Sequence, residues 1–531
     1  MNTLPSAGEK TRVLFDLKPA LDGYAGIPQE TRLLFRGLRS LDGCDVVGLI
    51  QHGGRQLRAG ASREQLALPV ASRIYRSSRA ILSLREVPRV TGSERPSAGG
   101  GVNLSPAAVA EAIWGFFYIN LAMIAAWFGA NVKPGSIEDG LFDDFIWRTF
   151  FSKTLQPADK ALVTAARFRI LRQSRKRFHQ IGLAGRRYSS VPHYLGVDTQ
   201  EFNVFLAQTP FPARVSPGTQ LVVRYHDAVP LFMPHTISDS AFHQASHFYA
   251  LQENVRAGAW FSCVSAATRD DLLKVFPAVE PRTAVIHNIV SDDYFEEQSP
   301  PEVVRQIVRN RVAKVHAFTT DIRFLDAALS GAGSSGLDYL LMVSTIEPRK
   351  NHLLLTAAWE RLKYGAMPRL QLVVVGHLGW AYQPVLEAFR PWAERGDLLY
   401  LNNVPSAELR VLYRHAAATL CPSLAEGFDY SGIEAMRCGG IVIASAIAVH
   451  REVFGGGAVY FDPYSAEDAA TVITQVLSDD GKALRERLRG EGARISNRYT
   501  PAAILPQWEA FLDKVQRARL GSGWCGEGGS Q

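Results

Sequence analysis

Ser423 to Gly440 reads SLAEGFDYSGIEAMRCGG, a glycine-containing loop running into a helical stretch, with Glu426 in the loop and Glu434 eight residues later inside the helix. A loop that enters a helix this way offers unpaired backbone NH groups and the positive end of the helix dipole, and anions bind there. With a diphosphate over residues 428 to 432, Glu434 in the first helical turns can accept hydrogen bonds from both ribose hydroxyls, while Glu426 lies towards a sugar. The plain alternative is a loop acid followed by a capping acid at a helix start.

Upstream, VSTIEPRKNHLLLTAA (343–358) sets adjacent Arg349 and Lys350 in the loop between a strand and the next helix. Cations are unfavourable at that end of a helix dipole, so the pair points to neutralisation of a departing diphosphate, the plain alternative being two surface cations near a helix start. Around these loops YLLMVST (339–345), LQLVVVG (370–376), LLYLNNV (398–404), ATLCPS (418–423), IVIAS (441–445) and AVYFD (458–462) alternate with helical stretches, which predicts a parallel β/α layer. The Gly/Ser break SGAGSSG (330–336) precedes it and marks a domain boundary. The first half opens with a strand at Arg12 to Leu17, a loop in which Gly23 and Gly26 permit tight turns, and a helix from Thr31 to Leu41. LVVRY (221–225), SCVS (262–265) and AVIHN (284–288) then close a first doubly wound layer. The expected organisation is an N-terminal domain over 1–330 with an insertion around 50–190, a C-terminal domain over 331–500, a crossing helix at 501–520 and a flexible tail at 521–531. Within the insertion, Thr91 to Pro106 is polar and aperiodic, as a mobile segment would be.

A chain of 531 residues with 47% hydrophobic and 21% charged residues can fold into at least two large domains, and a net charge of +7 over that length is mild. Five widely spaced cysteines without a CxxC pair fit a reducing compartment, and the N-terminus shows no signal peptide, so a cytoplasmic location is expected. Ala112 to Ala130 (AIWGFFYINLAMIAAWFGA) is apolar apart from Asn120, and reads as a buried or interfacial helix rather than a membrane span, because basic flanks are missing. Ala158 to Ile181 reads as a helix crowded with Arg167, Arg169, Arg172, Arg175, Lys176 and Arg177, either a solvated face or a peripheral contact with anionic membrane. It lacks the interleaved aromatics of a nucleic-acid binder. The pairs Asp143-Asp144, Asp270-Asp271 and Asp292-Asp293 have no third ligand in view, so no metal site is expected.

Glu426 to Gly440 resembles the E-x7-E segment of the retaining glycosyltransferases of family four, usually written EGFGLPPLEAMACG, with Asp429, Tyr430 and Ser431 as departures. Residues 343–358 are similar to the G-T-x-E-P-R-K-N motif of the same family, with Ser344 in place of glycine, and LVVRYHDAVPLFMP resembles the HD-x-x-P-L segment of mannosyltransferase-like members. After the strand at 441–445, Ala446 and Ala448 replace the usual aspartate and proline, while His450, Arg451 and Glu452 remain. The resemblance covers about Leu221 to Pro463 and the loop to residue 27. It implies a GT-B architecture, two Rossmann-like domains facing across a cleft, with donor held on the C-terminal one. By that resemblance Arg349 and Lys350 hold the donor phosphates, Glu434 the ribose, and Glu426 and His226 lie at the sugar. Gly26, Gly427, Phe428, Tyr430 and Ser431 complete the donor-binding set. The implied reaction is metal-independent transfer of a hexose with retention, first of all mannose from GDP-mannose, without a cofactor beyond the GDP- or UDP-linked donor. A glycan or lipid-linked saccharide in surface polysaccharide assembly would accept it. A sugar-nucleotide epimerase and a non-catalytic sugar-nucleotide-binding protein are the alternatives.

Overall fold

The computed structural model of the chain describes residues 10–24, 26–51, 69–85, 106–137, 140–312 and 337–522. The Gly/Ser break at 330–336, the polar stretch up to residue 105 and the tail from 523 lie outside them. Eight strands make the first sheet: β1 (Thr11–Asp16), β2 (Cys44–Gln51), β3 (Gly135–Ser136), β4 (Phe168–Leu171), β5 (Val204–Ala207), β6 (Gln220–Tyr225), β7 (Trp260–Cys263) and β8 (Thr283–Val285). Their spatial order is β8-β7-β6-β5-β1-β2-β4-β3, and every pairing is parallel except that of the edge strand β3. Val13 pairs with Val46 on one side and Val204 on the other, and all three are buried. Such a strand is covered on both faces, which is why VLF runs apolar without alternation.

The second sheet holds six parallel strands, β9 (Tyr339–Val343), β10 (Gln371–Val375), β11 (Leu398–Leu401), β12 (Ala418–Cys421), β13 (Val442–Ser445) and β14 (Ala458–Phe461), in the order β11-β10-β9-β12-β13-β14. The helices that matter for the site and its surroundings are α1 (Ile27–Arg39), α2 (Pro106–Trp127), α3 (Arg175–Ala184), α4 (Ala266–Val275), α5 (His352–Tyr364), α6 (Tyr430–Arg437) and α7 (Pro501–Ser522). In each sheet the strand order reverses at one place, between β1 and β5 in the first and between β9 and β12 in the second. Loops diverge there, and the crevice they leave is where open α/β sheets bind ligands. α7 returns to the first domain: Trp508, Phe511 and Leu512 are buried in the same core as Val13, Phe15 and Leu34.

Two helical expectations need correction. α1 begins at Ile27 rather than Thr31, because Pro28 is preorganised for a first turn and Gly26, at φ +69°, lets the chain turn into it. The stretch Ala158–Ile181 is not one helix. A short helix at Lys160–Thr164 ends before β4, and α3 begins only at Arg175. Pairing of Phe168 with Gly48 and Ile170 with Ile50 draws this segment into the sheet, and Phe168 and Ile170 are buried by it. Three of its arginines are committed to acids within the protein: Arg167 to Asp45 at 2.6 Å, Arg169 to Glu201 at 2.6 Å and Arg175 to Asp16 at 2.7 Å. The continuous basic helical face that would have rested on lipid does not exist. Ala112–Trp127 does lie in a helix, α2, and no helix among the described residues is long and apolar enough to cross a membrane.

Candidate active site

The loops that follow β1, β6, β9 and β12 line one cleft of about 1390 Å³ between the two sheets. Ordinary small-molecule sites measure about 300–1000 Å³, so this cleft is larger than a site for one small ligand.

On the second domain, the loop after β9 enters a single helical turn at Pro348–Lys350 and then bends through Asn351, held at φ +61°. The Asn351 amide donates to the carbonyls of Pro422 (3.1 Å) and Pro463 (2.8 Å), which ties this loop to the one after β12. Arg349 and Lys350 therefore meet Glu426, more than seventy residues away in sequence. Arg349 donates to Glu426 Oε2 at 2.7 Å, to the Ala425 carbonyl at 2.6 Å and to Glu347 Oε1 at 2.7 Å, while Lys350 Nζ holds Glu426 Oε1. Burial alone would raise the Glu426 carboxyl, but Arg349 and Lys350 outweigh it and keep the group below the usual carboxylate range. Burial would likewise disfavour the Arg349 charge, and Glu426, Glu347 and Asp227 reverse this. The result is a buried, charged cluster with two cations facing the cleft.

The loop then reaches α6 through Asp429, at φ +64°. Its Oδ1 accepts from the Ser431 NH (3.2 Å) and hydroxyl (2.7 Å), capping the helix, and its Oδ2 lies 3.1 Å from Nε2 of buried His450. Burial opposes the Asp429 charge, yet His450 and Lys350 hold its carboxyl far below the usual range. The aspartate at 429 thus brings a hydrogen-bond partner of its own, and its carboxylate is turned into the protein towards His450.

Glu434 lies one turn into α6. Gln29 of α1 donates to its Oε1 across the cleft at 2.9 Å and Tyr413 to its Oε2 at 3.1 Å. Burial lifts this carboxyl to about 7 against those hydrogen bonds. Phe428 is packed against Tyr430 and Tyr499, with ring centroids at 5.3 and 5.1 Å. The Tyr430 hydroxyl donates to Glu30 of α1 at 2.8 Å. The side chains of Phe428 and Tyr430 are therefore engaged within the protein.

On the first domain, Gly26 lines the cleft at the start of α1, and a Cβ there would meet nothing within 4 Å. His226, just after β6, is buried, and its Nε2 has no hydrogen-bond partner among the described residues. Burial, helped by Arg224, holds its imidazole well below the ordinary histidine range, so the ring is neutral. A neutral ring nitrogen without a partner at a cleft wall is suited to a hydroxyl. Burial moves Asp227 beside it the other way, raising its carboxyl against the pull of Arg349 from the other domain.

The domains touch where these loops meet. A Cβ on Gly427 would stand 1.8 Å from the His226 carbonyl oxygen, so only glycine permits the approach. Gly427→Ala must push the two loops apart and is expected to lower the melting midpoint by an amount equivalent to about 1–3 kcal/mol, the usual range for overpacking; an unchanged melt would mean that the close approach carries no weight.

Sequence reading missed the polar core behind this contact. Arg224, the penultimate residue of β6, donates to Glu30 Oε1 (2.9 Å), Asn288 Oδ1 (2.8 Å) and Ser262 Oγ (2.8 Å), all buried, and its guanidinium lies over Trp508 at 5.2 Å. Glu452 from the second domain accepts from the NH groups of Ala266 (2.6 Å) and Ala267 (3.0 Å) at the start of α4, a helix-capping contact made between domains. Two signals in the sequence mark this network: an arginine inside the apolar run LVVRY, and Glu30 in register with Leu33, Leu34, Gly37 and Leu38 on the buried face of α1.

Residues 333–494, which carry Arg349, Lys350, Glu426 and Glu434, match the family described as glycosyl transferases group 1. Over those residues the chain is similar to the group 1 glycosyl transferases. Proteins similar to this chain include the O-antigen chain mannosyltransferase B of Escherichia coli, 26% identical over 231 residues, which are 44% of this chain and 55% of that protein. The serotype-specific mannosyltransferase WbdA of Escherichia coli is 28% identical over 192 residues, 35% of this chain and 23% of that one. The O-antigen chain mannosyltransferase RfbU of Salmonella typhimurium is 24% identical over 242 residues, 45% of this chain and 56% of that one. The match thus spans about half the length of the first and third relatives and less than a quarter of WbdA. In architecture, sucrose-phosphate synthase from Thermosynechococcus elongatus superposes with a TM-score of 0.55 at 14% identity, covering 96% of this chain and 100% of that one. The two parallel sheets facing one cleft are the GT-B fold.

Proposed function

We propose that this glycosyl transferase moves a hexose, mannose from GDP-mannose in the first instance, from a nucleotide sugar to a glycan or lipid-linked saccharide of a surface polysaccharide, with retention at the anomeric carbon and without a metal. The observation that carries this reading is the convergence of Arg349, Lys350 and Glu426 at the switch point of the second sheet, beside Glu434 and opposite His226. The choice of mannose follows the activity of the mannosyltransferases to which the chain is similar.

In this reading the donor diphosphate takes up Arg349 and Lys350, whose charge stabilises the negative charge that develops as the bond from the anomeric carbon to the phosphate oxygen breaks. The acceptor hydroxyl attacks from the same face. Its oxygen bonds to the anomeric carbon, its proton passes to the departing phosphate oxygen, and the products are a glycoside and a nucleoside diphosphate. No protein nucleophile is needed, so the chain's contribution is orientation and charge. Glu434 accepts from the ribose, and Glu426 and the neutral ring of His226 position sugar hydroxyls.

A panel of sugar nucleotides tested by thermal shift identifies the donor, because a ligand that binds only the native state raises the melting midpoint. GDP-mannose is expected to give the largest rise, and no rise with any sugar nucleotide would refute the assignment. Incubation of donor alone separates transfer from epimerisation: an epimerised sugar nucleotide formed without acceptor would replace the proposal with an epimerase.

A further inference from the structure

The transfer cleft leaves one large surface of the first domain without a role. On α2, a helix of 22 residues, Trp114, Phe117, Leu121 and Ile124 follow at steps of three and four and share one face, which Phe128 extends just beyond the helix end. Trp114 is 71% exposed, Phe117 64%, Leu121 69% and Phe128 86%. The opposite side, Ala122, Met123 and Ala126, is buried with Phe178 and Ile181 of α3. The helix is thus fixed in the fold by one face and presents the other as a continuous apolar stripe, which marks an interaction surface in a way that scattered exposed residues do not.

The chemistry around the stripe selects its occupant. No aspartate or glutamate occurs from Ile113 to Ile137. Cations border it instead: the Arg177 guanidinium lies 5.1 Å over the Tyr118 ring, exposed Lys133 follows Phe128, and exposed Arg187 precedes Tyr188, whose ring meets Trp127 edge-on at 6.3 Å. Tryptophan and tyrosine beside arginine and lysine, around an aliphatic and phenylalanine centre, match the boundary between lipid headgroups and acyl chains, with the cations placed for anionic headgroups. α3, which backs this helix, also carries Arg175 and His179 into the wall of the cleft.

We propose that the exposed face of α2 lies in the plane of an anionic lipid bilayer, partly embedded and not crossing it. A bilayer under α2 sits one helix away from the first-domain wall of the cleft, where a lipid-linked acceptor could enter along α3. That last consequence rests on the proposed glycosyl transfer; the docking itself does not.

Flotation of the full chain with phosphatidylcholine vesicles, with and without phosphatidylglycerol, tests the proposal. The wild-type chain is expected to float with the mixed vesicles and much less with phosphatidylcholine alone, and W114S/F117S/F128S to lose about tenfold or more of the bound fraction. Circular dichroism and the thermal shift by GDP-mannose, read on the same preparations, are expected to match wild type, since these residues lie outside the cleft. Failure of the wild-type chain to float, or equal flotation of the triple variant, overturns the proposal. So does a wild-type dimer in sedimentation velocity that the triple substitution abolishes while flotation stays absent, because the face would then join two copies of the chain. If GDP-mannose gives no shift in either protein while flotation persists, the transfer reading fails and the bilayer docking stands.

Discussion

Arg349→Ala is expected to lower the transfer rate about a hundredfold or more, the scale on which removal of one preorganised charge-stabilising donor acts. The size of the effect follows from where the guanidinium sits. The Arg349 side chain is only 16% exposed, makes three hydrogen bonds, and links the loop after β9 to the loop after β12. In a site from which water is largely excluded, its charge is worth far more to a departing diphosphate than a surface cation would be. The alanine variant also strips one of two counter-ions from Glu426 and the ion-pair partner from Glu347, so some loss of stability accompanies it. Arg349→Lys separates the two effects. Lysine keeps the charge but cannot fork between Glu426 and Glu347, so it is expected to melt closer to wild type and still transfer at least tenfold more slowly. Both rates are read as nucleoside diphosphate released in the presence of acceptor, and wild-type turnover by the alanine variant would remove Arg349 from the reaction.

The second large effect concerns Glu434, and here function and stability should move in opposite directions. Folded Glu434 keeps its proton up to about pH 7, whereas the unfolded chain releases it near 4.5. Between those values the native state binds more protons than the unfolded state, so this group makes stability fall as pH rises, and the full penalty is present above pH 7. Glu434→Gln removes the penalty. Without donor, the variant is expected to be more stable than wild type by about 2–3 kcal/mol near pH 8 and to differ little near pH 5. Gln29 can still donate to the new amide oxygen. Donor binding should suffer instead: a carboxylate accepts from both ribose hydroxyls, an amide oxygen accepts less well, and the affinity is expected to drop about tenfold or more. Paired melts with and without GDP-mannose at the two pH values check this. A variant that is destabilised at high pH, or that binds donor as wild type does, contradicts the role given to Glu434.

The parts of this fold that were legible in the sequence are those with a local cause. Strands buried on both faces announce themselves as runs such as QLVVV and YLLMV, and the residues that follow β9 and β12 fall into the cleft because the sheet reverses its order there. Arg349, Lys350, Glu426 and Glu434 come from two strand-to-helix connections of one domain, and that domain brings them together. What was not legible depends on the other domain. Gln29 reaches Glu434 across some four hundred residues of sequence, Tyr430 reaches Glu30 in the same way, and neither pair has a local pattern. Residues 168–171 illustrate the opposite error. Six cations between 167 and 177 dominate the composition and suggest a helix face, yet one strand of neighbouring apolar backbone at Gly48–Gln51 suffices to pair Phe168–Leu171 into the sheet. Tertiary pairing overrides local propensity in so short a segment. For α2, the sequence shows an apolar helix but not which side the protein covers, since nearly every position is apolar; only the packing of α3 distinguishes Met123 from Trp114.

The central claim is transfer from a nucleotide sugar with retention, and the anomeric configuration of the product tests it most directly. Purified protein is incubated with GDP-mannose and a mannoside acceptor, and the configuration of the new linkage is read by proton NMR. An α-linked product is expected from the α-linked donor, formed together with one equivalent of GDP and suppressed in Arg349→Ala. A β-linked product would contradict retention, and the absence of both glycoside and nucleoside diphosphate across the sugar-nucleotide panel would contradict transfer itself.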